Sequence, residues 1–176
     1  MRQPVTKVRL QNFMETLGNA TAAPARVYLV GGATAVLMGW RDATIDIDLK
    51  IVPENDDLLR SLPRLKESLH LNLELAAPDD FIPELPGWQE RSRFIAQIGR
   101  VTFLHYDFYA QALAKIERGH VTDLGDVEEM IRAELVEPNR LLEFFSVIEP
   151  QLYRYPAVDI PSFRRAVDRI IGGLRN

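Results

Sequence analysis

The sequence predicts an α/β (α+β) chain, a small mixed sheet flanked by helices with a helical layer at its C-terminal end. Short apolar runs, two of them alternating, are confined to the stretch that ends at Tyr106. Beyond Tyr106, apolar residues recur only at helical spacing. Strands mixed with helices first, and helices alone afterwards, describe a sheet-based core carrying a helical addition. A length of 176 residues is enough for one good core of that kind.

Leu10, Phe13, Met14 and Leu17 fall at i, i+3, i+4 and i+7, an amphipathic helix that Gly18 ends. An Ala/Thr/Pro linker through Pro24 leads to a buried strand from Val27 to Val30. A short helix carries Ala35, Val36 and Met38 and is closed by Gly39. A strand from about Ile45 to Val52 follows and stops at Pro53. Alternation places Asp46 and Asp48 on one of its faces and Ile45, Ile47 and Leu49 on the other. A helix near Asp57 to Leu69 contains Pro63 as an irregularity. Leu71 to Leu75 alternates, with Asn72 and Glu74 on one face and three leucines on the other. After a Pro-rich loop from Pro78 to Trp88, Arg93 to Ile98 and Val101 to Tyr106 form a hairpin around Gly99-Arg100.

Four helical stripes complete the chain. They are Tyr109/Ala112/Leu113/Ile116, Val127/Met130/Ile131/Leu135, Leu141/Phe144/Phe145/Ile148, and Phe163/Ala166/Val167/Ile170/Leu174. The organisation expected is an α/β domain over residues 1–135 and a helical extension packed on it over 136–176.

Composition narrows the function classes. Hydrophobic content of 47% and charged content of 26% are ordinary for a globular protein. No run approaches the roughly 20 apolar residues that span a bilayer, so no membrane partner is expected. The absence of cysteine excludes disulfides, thiol catalysis and Cys-type zinc sites, and fits a cytoplasmic location. A net charge of −4 argues against broad DNA binding, which needs a basic surface. His70, His105 and His120 lack metal-ligand spacing. No Ser-His-Asp arrangement and no Walker motif appears, and Gly31-Gly32 does not extend to a dinucleotide fingerprint.

The chemistry concentrates in two places, Val30-Gly31-Gly32-Ala33-Thr34 and Thr44-Ile45-Asp46-Ile47-Asp48-Leu49. Two carboxylates about 7 Å apart on a strand face repel by roughly 2–3 kcal/mol at an effective dielectric near 20. A hard divalent cation between them removes that repulsion. Paired glycines let backbone N–H groups approach a phosphate closely. A phosphate cradle beside a metal clamp is the equipment of phosphoryl or nucleotidyl transfer.

Gly31-Gly32-x-Thr34 followed by Arg41-x-x-Thr44-x-Asp46-x-Asp48 resembles the nucleotidyltransferase superfamily. In style it is nearest to the minimal nucleotidyltransferases and the AbiEii-like toxins of abortive-infection systems. The likeness spans roughly residues 26 to 135, and the segments Asp80 to Trp88 and Leu113 to His120 with Asp123 and Asp126 look like a bacterial subgroup. The resemblance implies that Asp46 and Asp48 hold Mg²⁺ (or Mn²⁺) on a nucleoside triphosphate. It also implies a third acid on a neighbouring strand, where Glu74 matches by position, and a supporting Lys-then-Asp segment, matched by Lys115, Asp123 and Asp126.

Several of these residues carry two readings. Thr34 and Thr44 are helix-start and strand residues or phosphate donors. Arg41 is a surface charge or a bidentate phosphate ligand. Glu74 belongs to a polar outer face, or is a third metal ligand or general base. Lys115 snorkels along the core or neutralises charge in the transition state, while Arg118 is expected in solvent. Asp123 and Asp126 have capping-box spacing or contact the nucleotide. The function expected is Mg²⁺-dependent transfer of a nucleoside monophosphate from a triphosphate to an RNA, protein or small-molecule acceptor. A toxin–antitoxin setting would add a small partner protein. The alternative is a non-catalytic module of the same fold that binds a nucleotide or a protein.

Overall fold

The computed structural model describes residues 3–173, so Leu174 of the last stripe lies outside the described residues. The chain divides into two compact units. The first comprises the residues up to Ala77 together with Ser92–Tyr106; the second comprises Pro78–Arg91 and the residues from Asp107 onward. Residue 135 lies inside the second unit.

Among the described residues, the first unit holds every strand. Its five-stranded sheet consists of β2 (Ala25–Val30), β4 (Asp46–Val52), β5 (Asn72–Leu75), β6 (Arg93–Ile98) and β7 (Val101–His105), in the order β5-β4-β2-β7-β6. The sheet is mixed: β2 pairs antiparallel with β4 and parallel with β7, β4 pairs parallel with β5, and β6 with β7 forms the expected hairpin. The remaining two strands, β1 (Val5–Thr6) and β3 (Ala43–Thr44), make a two-stranded ribbon too short for sequence periodicity to reveal. The parallel β4–β5 pair needs a crossover, supplied by α3 (Asp56–Ser68). Asn55 starts that helix by accepting the Leu58 N–H at 3.0 Å, and Pro63 sits within it. Helix α1 (Lys7–Gly18) buries Leu10, Phe13, Met14 and Leu17, as its spacing predicts. These side chains join Val27, Leu29, Ile47, Leu49, Leu58, Leu73 and Phe103 in one core. Arg9 ties the chain before α1 to the end of α3, donating to the carbonyls of Gln3, Pro4, Leu69 and His70.

Two apolar expectations fail at strand ends. Ile45 is 64% exposed because it lies in the bend between β3 and β4, outside the alternation. Leu75 is 57% exposed because it closes β5 at the sheet edge.

The second unit is helical. Its elements are α4 (Trp88–Arg91), α5 (Phe108–Arg118), α6 (Val121–Arg132), α7 (Pro138–Ile148) and α8 (Ile160–Gly173), with short 3-10 turns at Pro78–Asp80 and Glu149–Arg154. Leu113, Ile116, Val127, Met130, Leu141, Phe145, Phe163 and Val167 are buried. Val136, not Leu135, is the buried residue after α6. The chain leaves that helix at Arg132 and turns through Glu134 at φ +58°, which breaks the helical phase. Asp107 caps α5 through the Tyr109 N–H and holds Arg91 through two oxygens, at 3.2 and 2.7 Å.

Candidate functional site

β4 and β5 build the acidic face. Ile47 and Leu49 are buried, so Asp46 and Asp48 turn to the other side, where both are half-buried. The parallel register sets Asp46 beside Asn72 and Asp48 beside Glu74. Three acids and one amide therefore share one face of two adjacent strands. The Asn72 amide donates to Asp46 Oδ1, and to Glu74 Oε1 at 3.4 Å.

On its other side β4 pairs with β2, and Asp48 lies across from Val30, the last residue before the glycines. Gly31 has φ +62°, and a methyl group there would meet Asp48 Oδ2 at 3.3 Å. At Gly32 a methyl group would lie 2.0 Å from Thr44 Oγ1. Gly31 is thus required by backbone conformation and Gly32 by space. The Thr44 hydroxyl in turn donates to the Asp46 carbonyl at 3.2 Å, joining the glycine turn to the start of the acidic strand. Arg41 is half-buried on the loop after α2 (Gly32–Leu37).

Thr34 faces the other way. It is fully buried, with Oγ1 at 3.2 Å from the Leu29 carbonyl and 3.0 Å from His105 Nδ1. Burial, and then the Arg93 charge, lowers the His105 pKa to about 4, so the imidazole is neutral at pH 7. This pair anchors α2 from behind the turn.

The second unit gathers Lys115, Asp123 and Asp126. The Lys115 ammonium is itself buried, 2.7 Å from Asp126 Oδ2 and 3.3 Å from Asp123 Oδ1. Arg118, expected in solvent, is 54% exposed yet forks onto Asp123 with two bonds of 2.8 Å. Two cations and two carboxylates close on one another. Burial pushes the Asp123 carboxyl up, but the Arg118 hydrogen bonds and the Lys115 and Arg118 charges outweigh it and hold the pKa below its ordinary value. Neither aspartate forms the expected capping box. Helix α6 begins at Val121 after His120, which offers no side-chain cap, and Asp123 lies inside the first turn facing Lys115. A buried cation on the preceding helix decides the orientation of both acids.

Of the residues singled out in the sequence, Gly31, Gly32, Thr44, Asp46, Asp48 and Glu74 come together in the first unit. Lys115, Asp123 and Asp126 come together in the second. Asn72 escaped sequence reasoning: its shared face with Glu74 was visible, but its place beside Asp46 depends on the β4–β5 register. His105, without ligand spacing in the sequence, takes a structural place behind the turn. Trp88 is buried and Phe81 exposed. Among the described residues, no three of His, Asp and Glu are arranged as a ready metal cage, and no helix is long and apolar enough to cross a membrane.

Residues 8–154 match the model of a family described as a nucleotidyltransferase of unknown function (DUF6036). The chain belongs to that family. The match covers both glycines, all three acids of the β4–β5 face and the Lys115 cluster. It supports the superfamily resemblance, whereas the AbiEii-like toxins are not part of what it identifies. No curated protein and no solved structure matches the chain.

Proposed function

We propose that this chain transfers a nucleoside monophosphate from a nucleoside triphosphate to an acceptor hydroxyl, with Mg²⁺ or Mn²⁺ as the resident cofactor. One observation carries the reading: Asp46, Asp48 and Glu74 share the face of β4 and β5 that adjoins the Gly31-Gly32 turn. The donor set fits such a metal. All three side chains offer hard carboxylate oxygen, and Mg²⁺ is commonly held by one or two carboxylates plus substrate phosphates rather than by a full protein cage. Asp46 and Asp48 would hold the ion, with Glu74 beside them. When bound, it would neutralise phosphate charge.

The chain's own residues supply the rest. The glycine turn brings backbone close to the acids, so N–H groups there reach phosphate oxygens without side-chain obstruction. Arg41 pairs with the triphosphate tail through its planar fork, and Thr44 fixes where the tail lies relative to Asp46. The acceptor oxygen forms a bond to the α-phosphorus as the bond to the bridging oxygen breaks and pyrophosphate leaves. Glu74, exposed at the sheet edge, takes the hydroxyl proton and passes it to water. Thr34 and His105 support the turn from inside. The Lys115, Arg118, Asp123 and Asp126 cluster, whose charges cancel, holds α5 to α6.

The test is calorimetric titration of each nucleoside triphosphate with Mg²⁺, together with pyrophosphate release, for wild type and Asp46→Asn/Asp48→Asn. Loss of turnover in the variant supports the reading; equal binding and turnover in both overturns it. Intact-mass analysis of RNA, protein and small-molecule acceptors then identifies what receives the nucleotide.

A further inference from the structure

We infer that Asn72 is a positioning residue for the metal-binding carboxylates, one that holds Asp46 and Glu74 without spending their charge. This rests on the function proposed above and adds to it a residue outside the acid pattern. The juxtaposition is specific. The parallel register places Asn72 beside Asp46 on the next strand, while Glu74 follows two residues later on the same face. One Nδ2 group donates to both acids, to Asp46 Oδ1 and to Glu74 Oε1 at 3.4 Å. A primary amide has two N–H donors and no charge.

That combination solves a problem particular to this face. Three carboxylates on two neighbouring strands repel one another, and each has rotamer freedom that must be lost when it ligates. A lysine at this place would fix them but would also neutralise them and compete with a divalent ion. The charge-assisted bonds from Asn72 fix Asp46 and Glu74 while leaving their negative charge for the cation. Each carboxylate keeps its other oxygen for ligation. Hydrogen-bonded partners of ligating groups act in this way at metal sites generally.

The experiment measures Mn²⁺ binding to the whole chain by electron paramagnetic resonance, without nucleotide, for wild type, Asn72→Leu and Asn72→Gln. Melting in EDTA at low and high salt accompanies it. Asn72→Leu keeps the approximate volume and removes the donors; Asn72→Ala replaces it should the leucine variant fail to fold. Asn72→Gln keeps the amide, and at a half-buried position its extra methylene lets the donors reach the same oxygens. Mn²⁺ affinity is expected to fall about 10- to 100-fold in Asn72→Leu and to recover in Asn72→Gln. The metal-free melting temperature of Asn72→Leu should rise with added salt more than that of wild type, because the acids then repel unrelieved. Unchanged affinity in Asn72→Leu, against a wild type that binds, overturns this assignment and leaves the proposed function standing. A wild type that binds no Mn²⁺ without nucleotide overturns this assignment and leaves the proposed function, in which substrate phosphates share the ion, standing. Affinity lost alike in Asn72→Leu and Asn72→Gln also overturns it, since the amide donors would then not be what matters.

Discussion

Asp123 and Asp126 in the second unit meet an ammonium and a guanidinium at 2.7 to 3.3 Å, and the four charges cancel. Asp46 and Glu74 in the first unit meet the neutral amide of Asn72. Both sets lie within the family match, and the sequence marks both as candidates, those of the first unit as metal ligands and those of the second as nucleotide contacts. Their surroundings separate them. Buried acids must be neutralised within the protein, since an uncompensated buried charge is strongly unfavourable. Acids at a half-exposed sheet face can keep their charge, at the expense of mutual repulsion, and offer it to a ligand. A carboxylate's partner therefore tells more about its task than its position in a motif.

Disrupting the two sets should produce opposite effects. Asp46→Ala/Asp48→Ala is expected to lower turnover by on the order of 1,000-fold, while urea unfolding shifts by less than about 1 kcal/mol because repulsion is relieved. A comparable fall in stability would show that these acids hold the fold. Lys115→Met should cost about 3–5 kcal/mol by removing the buried ammonium that Asp123 and Asp126 share, which leaves Arg118 on Asp123 alone to balance the pair. Denaturant titration checks this, and a change below about 1 kcal/mol would mean that water reaches the cluster.

Acid should separate the units next. His105 has its pKa lowered to about 4 in the folded protein. The unfolded chain then binds a proton below pH 6.5 that the folded one refuses. Stability is accordingly full above pH 6.5 and declines toward pH 4, by on the order of 3 kcal/mol. The depressed Asp123 group acts lower. Its contribution is present above the ordinary carboxylate range and is lost as pH falls through the lowered folded value. Trp40 in the first unit and Trp88 in the second, each kept alone by changing the other to Phe, report the two losses separately. His105→Gln should flatten the first and leave the second. The smallest effect is expected at the exposed Asp56–Arg60 pair, both 79% exposed and 3.8 Å apart. There Arg60→Gln should cost no more than about 0.5 kcal/mol and be masked by salt.

The parts readable in the sequence are those set by short-range order. Leu10/Phe13/Met14/Leu17 gave α1, Gly99-Arg100 the hairpin, and alternation gave the acidic face of β4 with Ile47 and Leu49 behind it. Expectations failed where a distant partner decided. Ile45 and Leu75 are exposed because pairing with neighbouring strands decides where a strand begins and ends. Asp123 turns to Lys115 rather than capping because an ion pair outweighs a cap. Asn72 gained meaning only from a register between strands that α3 separates. At the candidate site, the glycines and three acids were visible as types and spacings. That a methyl group at Gly32 would strike Thr44 was not.

That last contact reaches beyond the two residues. Gly32 opens the helix behind the turn, and Thr44 leads into the strand bearing Asp46 and Asp48, with clearance so small that no side chain larger than hydrogen fits at position 32. The two segments are gauged against each other like parts machined to one dimension. On the function proposed above, a nucleotide seated on the turn and an ion seated on the strand would register against a common reference, and displacing either segment would displace the other's ligand with it.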